Sequence, residues 1–374
     1  RLAPASPFVR KRIELKTFDW RVEAEADRQE ARRPFEGAGE WERVEVPHYG
    51  EPLGRATTYY RTEFEADEAF FEAGAAFLRF GAVDYIAHVF LNDRFLGSHE
   101  GFFAAFEFDV TDTLRSGRNT LIVRVENDSP FQGLNTWMPG DFFGDKIYAA
   151  TGLGYDDPRR GWHHCPPGMG ICQPVFLEAR APRHLHDVFV RPLREEGQLA
   201  ITFEVWNTET KAAPVDLRFS IFGRNHEATV CEDASPGDEW DSAGPNRNDY
   251  TVIVDAPDLR DWEPDAPWLY ELHARLLDDE GRTVDGLVRH FGVRSFAFDE
   301  TSEPKGRPVF NGREIRLRGA NTMGHEQQCV LRGDLDQLRD DILIAKAANL
   351  NFLRLTQRPV EPEVYEYCDM LGMM

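Results

Sequence analysis

Residues 84–127 read DYIAHVFLNDRFLGSHEGFFAAFEFDVTDTLRSGRNTLIVRVEN, and this stretch decides the fold of the N-terminal part of the chain. Apolar and polar residues alternate along it, which is typical of half-buried β-strands. The positions that share one face of its first predicted strand are Tyr85, Ala87, Val89 and Leu91. The pair Asn92-Asp93 then predicts a tight hairpin turn. Further short strands between residues 56 and 180, without helical periodicity, predict a β-sandwich or jelly roll.

A second run of short strands lies between residues 184 and 298. The strands are predicted within HDVFVRPL, LAITFEVWN, VDLRFSIFG, DYTVIVDA, YELHARLLD and GLVRHFGVRSFAF. About seven such strands in some hundred residues predict an immunoglobulin-like sandwich. The acidic, Gly- and Pro-containing stretch 231–249 interrupts the run and predicts a long surface loop.

The pattern changes near residue 300 to strand, helix, strand, helix. EIRLRGAN predicts a strand, and GDLDQLRDDILIAKAANL predicts a helix with Asp334 and Gln337 at capping-box spacing. NFLRLT predicts a buried parallel strand, and a helix from Pro362 to Gly372 follows it. Two such units cannot bury a parallel sheet. The sequence therefore predicts that the chain is truncated or that the remainder of the sheet is supplied elsewhere.

Composition limits the functional classes. The chain has 374 residues, with 65 acidic and 43 basic side chains and a formal net charge of −22. Such a surface repels nucleic acid and anionic membranes, and no apolar run reaches the ~18 residues of a membrane span. Five irregularly spaced cysteines do not form a disulfide framework, although one pair could form. The compartment is left open.

Six stretches, taken in order, resemble the N-terminal part of glycoside hydrolase family 2, which includes β-galactosidases, β-mannosidases and β-glucuronidases. Residues 84–127 and the stretch GICQPVFLEA resemble its jelly-roll sugar-binding domain. The stretch DWEPDAPWLYELHARLLDDEGRTVD, followed by RHFGVRSF, is similar to the end of its immunoglobulin-like domain. FNGREIRLRGAN and NFLRLTQRPVEPEVYEYCDMLGMM resemble the first two β/α units of its catalytic TIM barrel.

The resemblance implies a mainly β fold in three parts. They are a jelly-roll sugar-binding domain over residues 1–183, an immunoglobulin-like β-sandwich over 184–298, and an incomplete (β/α)8 barrel over 299–374. It also implies a retaining exo-β-glycosidase that uses two glutamates, both on later barrel strands beyond residue 374. The expected partner is a carbohydrate, a homo-oligomer is left open, and nothing in the residues requires a cofactor or metal.

Two other functional classes stay open. The chain could be a non-catalytic carbohydrate-binding or scaffold protein, or one part of a barrel that another chain completes. The sequence does not select the sugar, because the residues that choose among galactoside, mannoside and glucuronide belong mostly to later barrel loops.

The resemblance also implies five substrate-pocket residues. Arg354 matches an arginine on the second barrel strand that supports the nucleophile by hydrogen bonding, although it could instead be an internally paired arginine. Asn321 and His325 follow the first strand, where His325 in a Gly-containing loop could equally face solvent. Gln357 stands where relatives often carry histidine. Trp162 could stack on a sugar ring or simply pack in the sandwich, as could Trp137.

Two further groups are considered and set aside. Glu326 is interpreted as a loop carboxylate and Glu361 as a charge at a helix N-terminus, and neither is expected to be catalytic. The second group consists of histidines and cysteines whose spacing along the sequence is not that of a zinc site. Its members are His163, His164, Cys165 and Cys172.

Overall fold

The computed structural model describes residues 10–52, 55–101, 103–127, 168–237, 242–322, 325–355 and 360–374. Two compact units emerge. The first comprises Lys11–Ala179 with Leu355–Val360, and the second comprises Arg1–Arg10, Arg180–Arg354 and Glu361–Met374. The three domain boundaries predicted from the sequence stay a prediction. Among the described residues, no helix combines the length and apolar composition of a membrane span.

The described residues of the first unit form a β-sandwich with two short helices. Its strands are β1 (Arg12–Leu15), β2 (Thr17–Val22), β3 (Glu42–Glu45), β4 (Ala56–Ala66), β5 (Ala75–Phe80), β6 (Ile86–Leu91), β7 (Arg94–Glu100), β8 (Phe106–Asp109), β9 (Gly117–Asn127) and β10 (Val175–Arg180). Its helices are α1 (Glu25–Gln29) and α2 (Glu68–Glu72). A six-stranded sheet has the order β3-β2-β4-β9-β6-β7, and a four-stranded sheet has the order β1-β10-β5-β8.

The inward faces of these two sheets form one apolar core. Val89 and Leu91 on β6 and Leu78 on β5 are each 0% exposed and belong to the same buried cluster. Asn92 and Asp93 have positive φ angles of 50° and 68° between β6 and β7. This is the backbone that a two-residue hairpin turn requires. The predicted alternation, the hairpin and the sandwich are therefore confirmed.

The second unit begins with an immunoglobulin-like sandwich. Its strands are β11 (Arg183–Leu193), β12 (Gln198–Asn207), β13 (Ala213–Pro214), β14 (Asp216–Gly223), β15 (Thr229–Ala234), β16 (Ser242–Ala243), β17 (Asn246–Asp255), β18 (Trp262–Glu263), β19 (Ala266–Pro267), β20 (Tyr270–Leu277) and β21 (Thr283–Phe291). The main sheets have the orders β11-β12-β17 and β15-β14-β20-β21. Phe203 and Phe219, one from each sheet, meet with ring centroids 5.3 Å apart in the shared core.

The predicted surface loop at 231–249 is only partly correct. β15 ends within it, β16 lies inside it and β17 begins within it. Cys231 on β15 stands opposite Ile221 on β14. The acidic side chains of β15 occupy its exposed positions, so the strand forms at the edge of a sheet in spite of its polar composition.

An α/β segment completes the second unit. Its elements are β22 (Phe296–Asp299), β23 (Arg307–Phe310), β24 (Arg313–Glu314), β25 (Gly319–Thr322), α3 (His325–Leu331), α4 (Leu335–Ala347), β26 (Phe352–Leu355) and α5 (Pro362–Leu371). β22, β23 and β24 form one sheet, and β25 pairs with β26 in another. The predicted strand at EIRLRGAN is therefore divided, because β24 pairs with β23 and only Gly319–Thr322 joins β26.

The helix ends follow the sequence signals. The Asp334 side chain caps α4 by accepting from the Gln337 N–H at 3.1 Å, while the Gln337 side chain donates to Asp341 at 2.6 Å. In the predicted capping box the Gln337 side chain would reach back to the Asp334 N–H. Here it bonds to Asp341, one turn later, instead. Gly372 ends α5 with φ of 74°. Helix α3 was not predicted, since its seven residues carry no apolar stripe.

Strand β26 is less buried than predicted. Its residues are half-buried or exposed, because the sheet of β25 and β26 has two strands among the described residues. Met374 adds a backbone contact to β26. Its N–H donates to Asn351 O at 3.1 Å, and its carbonyl accepts from Leu353 N at 2.7 Å. This alternation is the pattern of a parallel pair, with Met374 opposite Phe352.

Candidate functional site

The ends of β25 and β26 bring two predicted pocket residues together. Arg354 Nη1 donates to Asn321 Oδ1 at 3.3 Å, and both side chains are exposed. Carboxyl ends of TIM-barrel strands are where the active sites of that fold form. The contact joins two side chains that are 33 positions apart in the sequence, and it lies at the strand ends where a TIM-barrel active site is expected.

Two residues at the start of the strands, Asn351 and Gly319, fix this arrangement. The Asn351 side chain accepts from Arg318 N at 2.8 Å and donates to Arg316 O at 3.0 Å. A Cβ at Gly319 would lie 2.3 Å from Phe352 O, so only glycine allows the strands to approach this closely. Asn321 and Arg354 are thereby held on neighbouring strands at a set separation.

The chemistry of this pair suits a polar or anionic ligand. A guanidinium stays charged at any ordinary pH and presents five N–H donors in a plane. The Asn321 amide oxygen takes one of these donors, and its NH2 group can donate elsewhere. Hydroxyl groups and carboxylates are the natural partners of such a surface.

His325 lies on helix α3 rather than in the loop suggested by the sequence. Its Nε2 is 2.8 Å from Asp341 Oδ2 on α4, and its side chain is 52% exposed. The structure therefore joins His325 to Asp341. Its role in a substrate pocket stays a prediction.

Cys329 extends this contact to a group of three. Its Sγ lies 3.9 Å from His325 Nε2, and its side chain is buried. Burial, followed by the negative charge of Asp341, raises the pKa of the Cys329 thiol. Sequence reasoning missed this group because it treated His325 as part of a loop. The signal was a histidine and a cysteine four residues apart, which face the same way once the segment is helical.

The two glutamates that were set aside are both buried. Glu326 is 7% exposed, and within the described part of the chain its Oε2 has no hydrogen-bond partner. The loop interpretation of Glu326 is wrong, since it belongs to α3. Glu361 stands at the N-cap of α5, as expected of a charge at a helix N-terminus. Burial, followed by the charges of Asp369 and Glu326, raises the pKa of Cys368 to about 12, so this thiol stays protonated.

The other predicted residues lie outside the described part of the chain. They are Gln357 and Trp162, together with Trp137, His163, His164 and Cys165. Cys172, the remaining member of the group considered for zinc, is described and buried. Their contributions to a pocket or metal site stay predictions.

A cavity of about 460 Å³ in the second unit lies at the opposite ends of the strands. Arg316, Arg318 and Asn351, which precede β25 and β26, contribute to its lining. In a TIM barrel this face serves stability rather than catalysis. The cavity therefore does not mark the functional site.

Three domain models of one family match the chain in order. The glycosyl hydrolase 2 galactose-binding domain-like model matches residues 49–134, the glycosyl hydrolases family 2 model matches residues 183–294, and the family's TIM barrel domain model matches residues 305–374. Together they take up most of the chain.

Relatives and solved structures agree with these matches. A putative β-glucuronidase of Formosa agariphila is 25% identical over 353 residues, covering 89% of this chain and 37% of the relative. A β-galactosidase of Aeromonas hydrophila is 26% identical over 332 residues, covering 86% of this chain and 28% of the relative. The chain thus spans about a third of the length of these relatives.

A β-galacturonidase of Eisenbergiella tayi, solved with bound galacturonate, shares the fold. Its TM-score is 0.68 at 20% identity, covering 99% of this chain and 58% of that structure. The jelly-roll, immunoglobulin-like and initial barrel parts all have counterparts in the family models. The chain belongs to glycoside hydrolase family 2, and the three domain models that it matches run in order from the galactose-binding domain-like model to the TIM barrel domain model.

Proposed function

We propose that this chain is the N-terminal portion of a retaining exo-β-glycosidase, which hydrolyses the O-glycosidic bonds of β-glycosides. The observation that carries the proposal is the contact of Arg354 with Asn321 at the ends of the first two barrel strands. It lies in the region matched by the family's TIM barrel model. The three-domain order and the names of the relatives support the same reaction class.

The mechanism of such an enzyme needs two carboxyl groups about 5–5.5 Å apart. One protonates the leaving oxygen, and the other attacks the anomeric carbon to form a covalent glycosyl-enzyme that water then hydrolyses. In this proposal both groups are glutamates on barrel strands beyond residue 374. This chain supplies the supporting side of the pocket.

Each pocket residue then has a role that follows from its chemistry. Arg354 donates hydrogen bonds to the nucleophile carboxylate and keeps it ionised, while Asn321 holds the guanidinium in position. Gln357 bonds a sugar hydroxyl without titrating, and Trp162 stacks against the apolar face of the ring. His325 contributes a donor or acceptor at the rim of the pocket.

The substrate is proposed to be a β-glycoside or oligosaccharide. The relatives are named for glucuronide and galactoside hydrolysis, and one structural neighbour was solved with galacturonate. A positively charged Arg354 near the pocket suits a uronate carboxylate as well as a catalytic one, so both neutral sugars and uronates belong in the test.

A second candidate is a carbohydrate-binding chain without catalysis. The first unit has a cavity of about 500 Å³ that supports this candidate. Its lining includes Tyr85, Glu23, Glu126 and Arg28, which are side chains that bind sugar hydroxyls and ring faces. In this reading sugar binding resides in the sandwich and not at Arg354. A third candidate, in which another chain completes the barrel, keeps the first mechanism and changes only the source of the glutamates.

The test is a panel of p-nitrophenyl β-glycosides with the complete polypeptide that carries this segment. The panel contains the galactoside, mannoside, glucuronide and galacturonide, and the intact mass of the sample establishes which polypeptide is present. We expect turnover of at least one member by the complete polypeptide and none by residues 1–374 alone. If no member is turned over while a sugar binds the isolated chain, the carbohydrate-binding candidate replaces the glycosidase.

A further inference from the structure

We propose that His325, Cys329 and Asp341 form a binding site for a divalent transition-metal ion of the zinc class. The three side chains offer one imidazole nitrogen, one cysteine sulfur and one carboxylate oxygen, and the thiol releases its proton as the ion binds. These donor atoms all lie within 4.8 Å of one another.

The distances suit tetrahedral coordination with small side-chain movements. Zinc bonds of about 2.0–2.3 Å imply S···N and N···O separations of roughly 3.6 and 3.4 Å around a tetrahedron. Cys329 Sγ and His325 Nε2 are 3.9 Å apart, and His325 Nε2 and Asp341 Oδ2 are 2.8 Å apart. The first distance must shorten slightly, and the second must lengthen as an ion replaces the hydrogen bond.

Helical geometry supplies the alignment. His325 and Cys329 are four residues apart on α3 and so project from the same face. Asp341 projects from α4, which packs against α3. The tight connection between the two helices is fixed by Asp334, whose side chain caps α4 and whose N–H donates to Cys329 O at 2.8 Å. Two rigid elements therefore hold the three ligands.

The donor set selects the class of metal. Thiolate and imidazole favour zinc and its neighbours, whereas calcium and magnesium require oxygen ligands. A thiolate and a carboxylate together neutralise a divalent ion. Two other charged groups lie close to Cys329: Arg332, whose charge and hydrogen bond lower the pKa of the thiol, and Asp334, whose charge raises it by less.

The surroundings provide support and access. Gln337 Nε2 donates to Asp341 Oδ1 at 2.6 Å and so leaves the other carboxylate oxygen directed at His325. Such outer partners orient metal ligands. Cys329 is buried while His325 is 52% exposed, so an ion enters along the imidazole. Three protein ligands leave a fourth position for water.

The experiment is a titration of the untagged, metal-free full chain with Zn²⁺ against a chromophoric chelator. A parallel titration uses Co²⁺, whose thiolate complexes absorb in the near ultraviolet by sulfur-to-metal charge transfer. The variants are Cys329→Ser, Asp341→Asn and His325→Gln. Cys231→Ser is the matched control, because Cys231 is a half-buried thiol on a strand of the second unit.

We expect one equivalent of Co²⁺ to give the charge-transfer band in the wild type and in Cys231→Ser, and no band in Cys329→Ser. Each ligand variant should weaken Zn²⁺ binding by at least about tenfold. His325→Gln and Asp341→Asn change exposed or partly exposed side chains, so loss of binding there is not loss of fold. Absence of the band in the wild type, or equal Zn²⁺ affinity in wild type and variants, would overturn the site.

Discussion

Asp285 is a fully buried charge in the second unit. Its side chain is 0% exposed and accepts hydrogen bonds from Arg10 Nε at 2.7 Å, from Arg10 Nη2 at 2.6 Å and from Leu185 N at 2.7 Å. It thus ties the segment before the first strand to β11 and β21. Asp285→Asn keeps the shape of the side chain but removes the carboxylate charge that faces the guanidinium.

The magnitude follows from the burial of this ion pair. Removing one partner of a buried, hydrogen-bonded pair costs about 3–5 kcal/mol. In a unit of about two hundred residues, 1 kcal/mol shifts Tm by roughly 2–4 °C, which gives a fall of about 6–20 °C. Differential scanning calorimetry of the 374-residue chain measures the shift.

The matched control is Asp187→Asn in the same unit. Asp187 Oδ1 is 3.1 Å from Arg289 Nε, but the two side chains are 50% and 44% exposed. Exposed pairs contribute only about 0.2–1 kcal/mol, so its Tm should fall by about 4 °C or less. A fall for Asp285→Asn no larger than that of the control would refute the reasoning that burial sets the energy of the pair.

Three other predictions concern pH, strand approach and catalysis. Burial, followed by the charge of Arg224, lowers the pKa of His290 from 6.5 to about 4. Its contribution to stability is therefore complete above about pH 6.5 and is lost as the pH falls towards 4. The free energy of unfolding, measured by urea denaturation at several pH values, should depend less steeply on pH between 4 and 6.5 in His290→Gln than in the wild type. An unchanged pH dependence would contradict the assignment. Gly319→Ala would bring a methyl group within 2.3 Å of a backbone oxygen. It should therefore lower the free energy of unfolding, measured by urea denaturation, by about 1–3 kcal/mol. An unchanged value would mean that the strands do not approach as described. In the complete polypeptide, Arg354→Ala should lower kcat/KM by about a hundredfold or more. The control variant Arg339→Ala, on the exposed face of α4, should leave kcat/KM unchanged. Equal falls in kcat/KM for the two variants would exclude a pocket role for Arg354.

Much of the fold is predictable because burial imposes a period on the sequence. Val89 and Leu91 follow the two-residue alternation of a strand with one buried face, and both are fully buried. Asp334 and Gly372 mark helix ends through a hydrogen bond and a positive φ that their residue types favour. These signals are local, so one sequence suffices to find them.

The remaining features depend on contacts that are distant in the sequence. Residues 315–318 look like a strand, but their backbone groups are taken by Pro308 O and by the side chain of Asn351. At the site, the meeting of Asn321 with Arg354 follows from the rule that adjacent strand ends share a face. The meeting of His325 with Asp341 could not be predicted, because it requires both a helix at α3 and its packing on α4.

The most direct measurement is the anomeric configuration of the sugar first released from an aryl β-glycoside by the complete polypeptide, followed by proton NMR. A retaining mechanism with two glutamates predicts that the β-anomer appears first and then mutarotates to the equilibrium mixture. Initial release of the α-anomer, or turnover of no β-glycoside at all, would contradict the account.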